Sequence, residues 1–236
     1  ELIPAAFSRV AEVGIGRGDW QARDIVPASE GMGFRVFNKE VHVGDFTIPM
    51  LGTFNVQNAL GVIVVGKELG IDNGKIQKGL STFKSVKRRL ELRGEVERIR
   101  VYDDFAHHPT AVLETLRAIR ERYPTDRIWA VFEPRSQTCR RKIFEQEFIK
   151  SFDPADTVVV ARVFASTKLP PDEQLSPDAV VAGVRLRGKI AETFDTTDEI
   201  VDYVSRNATP GDQIVVMSNG GFDGIHRKLL EKLKGR

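Results

Sequence analysis

Arg127-Ile128-Trp129-Ala130-Val131-Phe132, then Glu133-Pro134-Arg135-Ser136, then a helix-patterned segment over 139–151, then Thr157-Val158-Val159-Val160-Ala161: this stretch decides the fold. Two short, almost wholly apolar runs flank one helical segment. Strands without polar alternation belong in a sheet covered on both faces, which is where parallel strands occur. Strand, helix and strand then make a right-handed βαβ unit. The pattern extends both ways. Upstream, Arg100 to Asp104 is a strand and 109–122 a helix with Val112, Leu113, Leu116 and Ile119 on one face. Leu90 to Glu97 pairs with that strand. Downstream, helices over 176–185, 196–206 and 222–234 alternate with strands over 189–194 and 212–217. The expected class is α/β with a mostly parallel sheet.

The first part of the chain differs. Residues 1–50 are Gly-rich, and Phe34-Arg35-Val36-Phe37 and Val41-His42-Val43 flank Asn38-Lys39-Glu40, which predicts a hairpin with a three-residue turn. Asn55 to Leu69 predicts an amphipathic helix with Ala59, Leu60, Ile63, Val64 and Leu69 on its apolar face, and Asn73 to Phe83 a second helix. The basic run Lys87-Arg88-Arg89 follows, so the expected domains are 1–86 and 87–236.

Composition excludes several classes. The chain has 236 residues, with Lys+Arg 35 and Asp+Glu 33, a net charge of +2. Electrostatic capture of nucleic-acid phosphates needs a larger basic excess, so no nucleic-acid partner is expected. One cysteine, Cys139, excludes an internal disulfide framework and a Cys-cluster metal site. No apolar run approaches the ~18 residues of a membrane span, and no leader-like segment opens the chain. The expectation is a cytoplasmic protein and, since Glu1 is not Met, a fragment or a processed product.

Parallel sheets bind ligands at the carboxyl ends of their strands, which directs attention to loops 103–109, 133–139, 162–175 and 218–224. Asp103-Asp104-Phe105-Ala106-His107-His108-Pro109-Thr110 is the densest polar cluster. It can cap a helix, ligate a metal through Asp and His, or offer a carboxylate to ribose hydroxyls. Arg135, with Arg140 about a turn later, can grip a carboxylate. Ser218-Asn219-Gly220-Gly221 permits close backbone approach before a helix N-terminus that favours an anion. Cys139, His42 and His226 carry no argued chemistry and are expected to be structural or solvent-facing. Gly61-Val62-Ile63-Val64-Val65-Gly66-Lys67-Glu68 mimics a phosphate-binding loop, but it lies inside the expected helix and lacks the Ser/Thr that follows the lysine.

Five segments, in order, resemble the Mur ligase family of peptidoglycan synthesis: Gly52-Thr53-Phe54-Asn55-Val56-Gln57-Asn58-Ala59-Leu60, Val86-Lys87-Arg88-Arg89-Leu90-Glu91, Tyr102-Asp103-Asp104-Phe105-Ala106-His107-His108-Pro109-Thr110, Glu133-Pro134-Arg135-Ser136 and Ser218-Asn219-Gly220-Gly221-Phe222. The resemblance implies that 1–86 is the rear part of the central α/β ATP-binding domain and 87–236 the Rossmann-like C-terminal domain, with the UDP-sugar domain and phosphate loop lying upstream. It implies ATP and Mg2+ as cofactors, the Mg2+ ligands lying mainly upstream, and an amide ligase working through an acyl phosphate. The Glu-Pro-Arg-Ser and Ser-Asn-Gly-Gly-Phe pieces resemble the members that join UDP-N-acetylmuramate to the murein tripeptide L-Ala-γ-D-Glu-meso-diaminopimelate in recycling. By motif position Asn55, Asn58, Arg89 and Asp104 match nucleotide-binding residues, His107 and His108 line the acceptor side, and Arg135 and Arg140 match acceptor-carboxylate binders. Phe54 stands where relatives commonly have His, and Phe105 where Tyr is usual. The alternatives are an L-alanine-adding ligase of the same family, a non-catalytic Rossmann-like binding module, and, more remotely, a metal enzyme built on Asp103, Asp104, His107 and His108. A partial sheet in 1–85 would expose an apolar face, so dimerisation or poor order is expected there, the oligomeric state being otherwise open.

Overall fold

The computed structural model describes residues 10–28, 31–137, 139–162 and 170–236. Two compact units divide between Ser85 and Val86.

The first unit is a four-stranded sheet with two helices on one face. β1 (Val13–Ile15) runs parallel to β2 (Trp20–Pro27), and β3 (Met32–Asn38) and β4 (Val41–Ile48) continue the sheet antiparallel. α1 (Thr53–Glu68) and α2 (Asn73–Ser81) cover it, and Trp20, Phe34, Phe46, Leu60, Ile63 and Ile76 meet in its core. The β3–β4 turn is shorter than expected. Asn38 pairs with Val41, and only Lys39 and Glu40 turn, at φ 47 and 68. Two left-handed residues make the turn whose twist matches paired strands, so Asn38 joins the strand. α1 also departs from the amphipathic expectation. Val56, Leu60, Ile63 and Val64 are buried, but Leu69 lies outside the helix at 73% exposure, and Val62 and Val65 are exposed on the other side. The helix is apolar on two faces, which a pattern of single positions did not resolve.

The second unit is a six-stranded sheet in the order β5-β6-β10-β7-β8-β9. Its strands are β5 (Glu91–Val96), β6 (Ile99–Asp104), β7 (Ile128–Phe132), β8 (Thr157–Ala161), β9 (Ile190–Phe194) and β10 (Gln213–Met217). All run parallel except β5, which pairs antiparallel with β6. β7, β8 and β10 are buried at every residue, as strands covered on both faces must be. α6 (Thr197–Asn207) and α7 (Ile225–Lys234) pack on the face carrying Val101, Trp129, Val131 and Val216. α3 (Pro109–Arg122), α4 (Glu145–Ser151) and α5 (Pro177–Leu186) serve the remaining crossovers, α4 lying beside both α3 and α5.

Two expected helices begin later than their periodicity suggested. Residues 139–141 form a turn and an isolated bridge from Arg141 to Gln174, and a short 3-10 turn at Lys142–Phe144 precedes α4. The last helix begins at Ile225, because Phe222, Asp223 and Gly224 are left-handed at φ 43, 48 and 65. That kink buries the Phe222 ring in the core. It also separates Gly220-Gly221 from the α7 N-terminus, so the glycine pair does not open a helix as expected.

At the amino ends of the strands, buried Asp212 ties the sheet together. Its carboxylate accepts from Trp129 Nε1 at 2.8 Å, Thr209 N at 2.9 Å and Arg127 Nη2 at 2.6 Å. Asp212→Ala leaves the Trp129 indole N–H and Arg127 Nε without their acceptor, and is expected to lower the stability of the second unit by about 2–4 kcal/mol. Denaturant unfolding followed by Trp129 fluorescence in a Trp20→Phe background measures this.

Candidate functional site

β10 lies between β6 and β7, although β6 and β7 are joined in sequence by α3. The chain leaves β6 towards α3 and β10 towards α7, so a crevice opens where the connections diverge. The carboxyl ends of the three strands put Asp103-Asp104, Ser218-Asn219-Gly220 and Glu133-Pro134-Arg135 side by side. Glu133 N donates to Met217 O at 3.0 Å and Ser218 N to Asp104 O at 3.1 Å, extending the pairing past the strand ends.

Arg88 binds this junction. Its Nη2 donates to Ser218 O and, at 2.7 Å, to Gly220 O, while Nε reaches Asp103 Oδ1 at 3.4 Å. Its guanidinium lies 5.0 Å over the Phe105 ring, and its carbonyl accepts from Phe105 N at 2.9 Å. Arg88 and Leu90 are left-handed, at φ 61 and 46, so the chain kinks on either side of Arg89. Arg89 is exposed, 5.7 Å above the Phe105 ring. The Phe105 ring thus carries two cations on π contacts. The sequence offered Arg88 within its basic run, but nothing there separated its structural role from that of Arg89.

The acidic pair divides its work. Asp103 is buried near His226 Nε2 at 3.3 Å and Arg88. Burial pushes its carboxyl up, but His226 and then Arg88 outweigh burial and hold it below the ordinary range. His226 is therefore packed against a carboxylate, with 13% of its side chain exposed. Asp104 turns inward. Oδ2 accepts from Leu90 N at 2.8 Å, and Oδ1 from Ala106 N at 2.7 Å and Thr115 Oγ1 at 3.3 Å. Burial raises its pKa despite these donors.

His107 Nδ1 lies 3.0 Å from Phe105 O, and the two rings meet edge to face. His108 caps α3, its side chain accepting from Thr110 N at 3.4 Å, and its ring meets Phe144. The four residues of the metal alternative point to four different partners. Among the described residues no group of three or more His, Cys, Asp or Glu side chains is placed to hold a metal ion, so that alternative is not supported by the geometry.

Glu133 is 1% exposed. Ser218 Oγ hydrogen-bonds to its Oε2, Gly220 N donates to Ser218 Oγ at 2.9 Å, and Arg135 Nη1 stands 3.7 Å from its Oε1. Burial raises the Glu133 pKa, while Ser218, Arg135, Arg140 and Arg88 act against it. Arg135 is brought to this carboxylate, and Arg140 acts on it by charge. Arg140 is set by its backbone, N donating to Ser136 O at 3.2 Å and O accepting from Leu175 N at 2.7 Å. Cys139 is buried against Ser136, with its thiol pKa pushed up by burial, so it is inert. Half of the 162–175 loop, residues 163–169, and Thr138 lie outside the described residues.

In the first unit, Asn55 and Asn58 lie one turn apart on α1. Asn55 is half-buried and its Nδ2 donates to Leu51 O at 2.8 Å, and Asn58 is exposed. Gly61–Glu68 is helix throughout and forms no phosphate loop. His42 is 40% exposed and pairs with Asp45 at 2.8 Å.

The described bonds assign opposite tautomers to the adjacent histidines: His107 protonated on Nδ1, which donates to a carbonyl, and His108 on Nε2, since its Nδ1 accepts. Long-range 1H–15N spectra of the neutral side chains are expected to show this difference. The same tautomer at both would contradict the two contacts.

Comparison with known proteins is consistent in one direction. The family described as Mur ligase, glutamate ligase domain, matches residues 88–220. A protein of Escherichia coli strain K12 named UDP-N-acetylmuramate–L-alanyl-γ-D-glutamyl-meso-2,6-diaminoheptandioate ligase is 38% identical over 92% of this chain and 45% of its own length. A UDP-N-acetylmuramate–L-alanine ligase of Caldanaerobacter subterraneus subsp. tengcongensis is 33% identical over 92% of this chain and 47% of its own length. The crystal structure of a murein peptide ligase from Psychrobacter arcticus has TM-score 0.63 at 32% identity, covering 95% of this chain and 46% of that one. A UDP-N-acetylmuramate-alanine ligase of Thermotoga maritima shares the fold, with TM-score 0.76 at 20% identity over 95% of this chain and 48% of its own. The chain spans about half the length of the curated relatives it matches.

Proposed function

The chain belongs to the Mur ligase family, and from that premise we propose that it is the rear portion of an ATP-dependent ligase joining UDP-N-acetylmuramate to L-Ala-γ-D-Glu-meso-diaminopimelate. Its first unit would close a central ATP-binding domain whose phosphate loop lies upstream, and its second unit would bind the acceptor peptide. The fragment alone would be inactive. The observation that carries the acceptor assignment is Arg135, 38% exposed at the end of β7 beside the Ser218-Asn219-Gly220 loop. A tripeptide ending in diaminopimelate supplies carboxylates for a planar guanidinium to grip in pairs. L-alanine is the competing acceptor, since relatives named for it match at 33% identity. The tripeptide is favoured by the 38% and 37% identities of the relatives named for it.

In this reaction the lactyl carboxylate of UDP-N-acetylmuramate takes the γ-phosphoryl group of ATP and becomes an acyl phosphate. The free amine of the peptide's L-alanine attacks the acyl carbon. ADP leaves when the acyl phosphate forms; the tetrahedral intermediate then loses the amine's proton to solvent and expels phosphate, leaving the amide. Asn55 and Asn58 would present amide donors and acceptors to the adenine edge. Arg89, set between two backbone kinks and stacked over Phe105, would meet nucleotide phosphate charge. Asp104, 3% exposed and bonded inward, would act on the nucleotide only by holding the loop that carries the ring, so the direct ribose contact expected of it is not available. His107, with Nε2 as its lone-pair nitrogen, and His108 would border the acceptor. Mg2+ would neutralise phosphoryl charge, but the described residues form no ligand set for it. Its ligands would lie mainly in the upstream part. Dependence on ATP and a UDP-sugar would put the reaction in the cytoplasm. No helix among the described residues is long and apolar enough to cross a membrane.

ADP release by the full-length ligase, with Mg-ATP and UDP-N-acetylmuramate, is expected with the tripeptide and not with L-alanine. Arg135→Ala is expected to lower kcat/KM for the tripeptide by about 10- to 100-fold, the worth of one charge-assisted hydrogen-bonding group. Turnover with L-alanine alone would reassign the acceptor, and turnover with neither would favour a binding module.

A further inference from the structure

We propose that Glu133 is a positioning residue: it holds the Arg135 guanidinium across Gly220, ready to receive a carboxylate of the acceptor, and so sets acceptor affinity without touching the acceptor. This rests on the reading above that Arg135 faces the acceptor.

The first argument is the position of Glu133. β7 is Ile128-Trp129-Ala130-Val131-Phe132, all buried, and the next residue is equally buried yet carries a carboxyl group. A buried carboxylate is a poor device for stability, because an apolar residue of similar size folds as well or better. Here burial raises the group's pKa, so its charge costs folding stability at neutral pH. A group kept at that cost has some other role to account for.

The second argument is connection. Gly220 N donates to Ser218 Oγ, whose hydroxyl binds Glu133 Oε2, and Glu133 Oε1 faces Arg135 Nη1 at 3.7 Å. Each anchor of this chain is itself fixed. Arg88 holds Ser218 O and Gly220 O, and Met217 O holds the Glu133 backbone. The carboxylate therefore cannot drift, and its free oxygen aims one edge of the Arg135 guanidinium.

The third argument is space. A Cβ built on Gly220 would collide with Cδ, Nε and Nη1 of Arg135. The arginine occupies the volume that any other residue at 220 would fill with its own side chain. Gly220 has ordinary backbone geometry and no positive φ, so close approach, and not turn geometry, accounts for a glycine there. An arginine set down in this way loses less rotamer freedom when a ligand binds, so its geometry appears in acceptor affinity.

The test uses the full-length ligase, with ADP release measured while the tripeptide is varied. Glu133→Gln keeps the shape and loses the charge. It is expected to raise the acceptor KM about 5- to 20-fold, to leave kcat within about twofold, and to leave KM for ATP and UDP-N-acetylmuramate unchanged. Gly220→Ala is expected to move the same constant in the same direction. The double variant Glu133→Gln/Arg135→Ala is expected to be no worse than Arg135→Ala alone, since Glu133 acts only through Arg135. A thermal unfolding scan checks folding, and if Glu133→Gln fails to fold, Ser218→Ala, which cuts the chain while keeping the charge, is read for the same rise in KM. An unchanged acceptor KM in Glu133→Gln while Arg135→Ala acts overturns this proposal alone. So does a loss spread over all three substrates, or an additive double variant. Arg135→Ala without effect on the acceptor KM overturns the acceptor reading and this proposal together.

Discussion

Three carboxyl groups, Asp103, Asp104 and Glu133, are buried at the adjacent ends of β6 and β7, on either side of β10. Charge placed so close in a low-dielectric end of a sheet must be met by donors or cations. Each is met differently. Asp103 has Arg88 and His226, Asp104 has backbone N–H groups, and Glu133 has Ser218 and the arginines. The loops of the crevice take their shapes from these pairings. Arg88 is the common member, since it touches the strand-end loops of both β6 and β10 and draws the start of the second unit onto them.

This arrangement separates support from contact. The residues that hold the loops are buried or half-buried, whereas those proposed to meet ligands are at least half-exposed: Arg89 on its kinked segment, Arg135 over Gly220, and His107 beside Phe105. A site of this kind is stiff where geometry matters and open where substrates enter. In the first unit α1 shows the same separation along one helix. One side is packed into the sheet, and the other exposes Asn58, Val62 and Val65. Such a second apolar side is unusual on a helix facing water.

Much of the fold was legible because its signals are local. All-apolar runs such as Thr157–Ala161 and the 3.6-residue spacing in 109–122 need no knowledge of distant contacts. Helix starts were less legible. At Phe222 the pull of a buried ring won over helix propensity, and at 139–141 a bridge to Gln174 replaced a first turn. In the hairpin, Lys39 and Glu40 accept left-handed geometry without the glycine that usually announces it.

The sequence by itself determined the class of the fold, the ordered motifs and the kind of chemistry they suit, because residue type and spacing carry those directly. Only the tertiary structure decided which neighbours each side chain has. It set β10 between strands joined to each other in sequence, turned Asp104 inward, gave Asp103 to His226, and laid Arg135 across Gly220. Those outcomes depend on contacts between residues far apart in the chain, such as Arg88 with Ser218 and Glu133 with Ser218. Strand order and burial create such contacts, and no local pattern of residues encodes them.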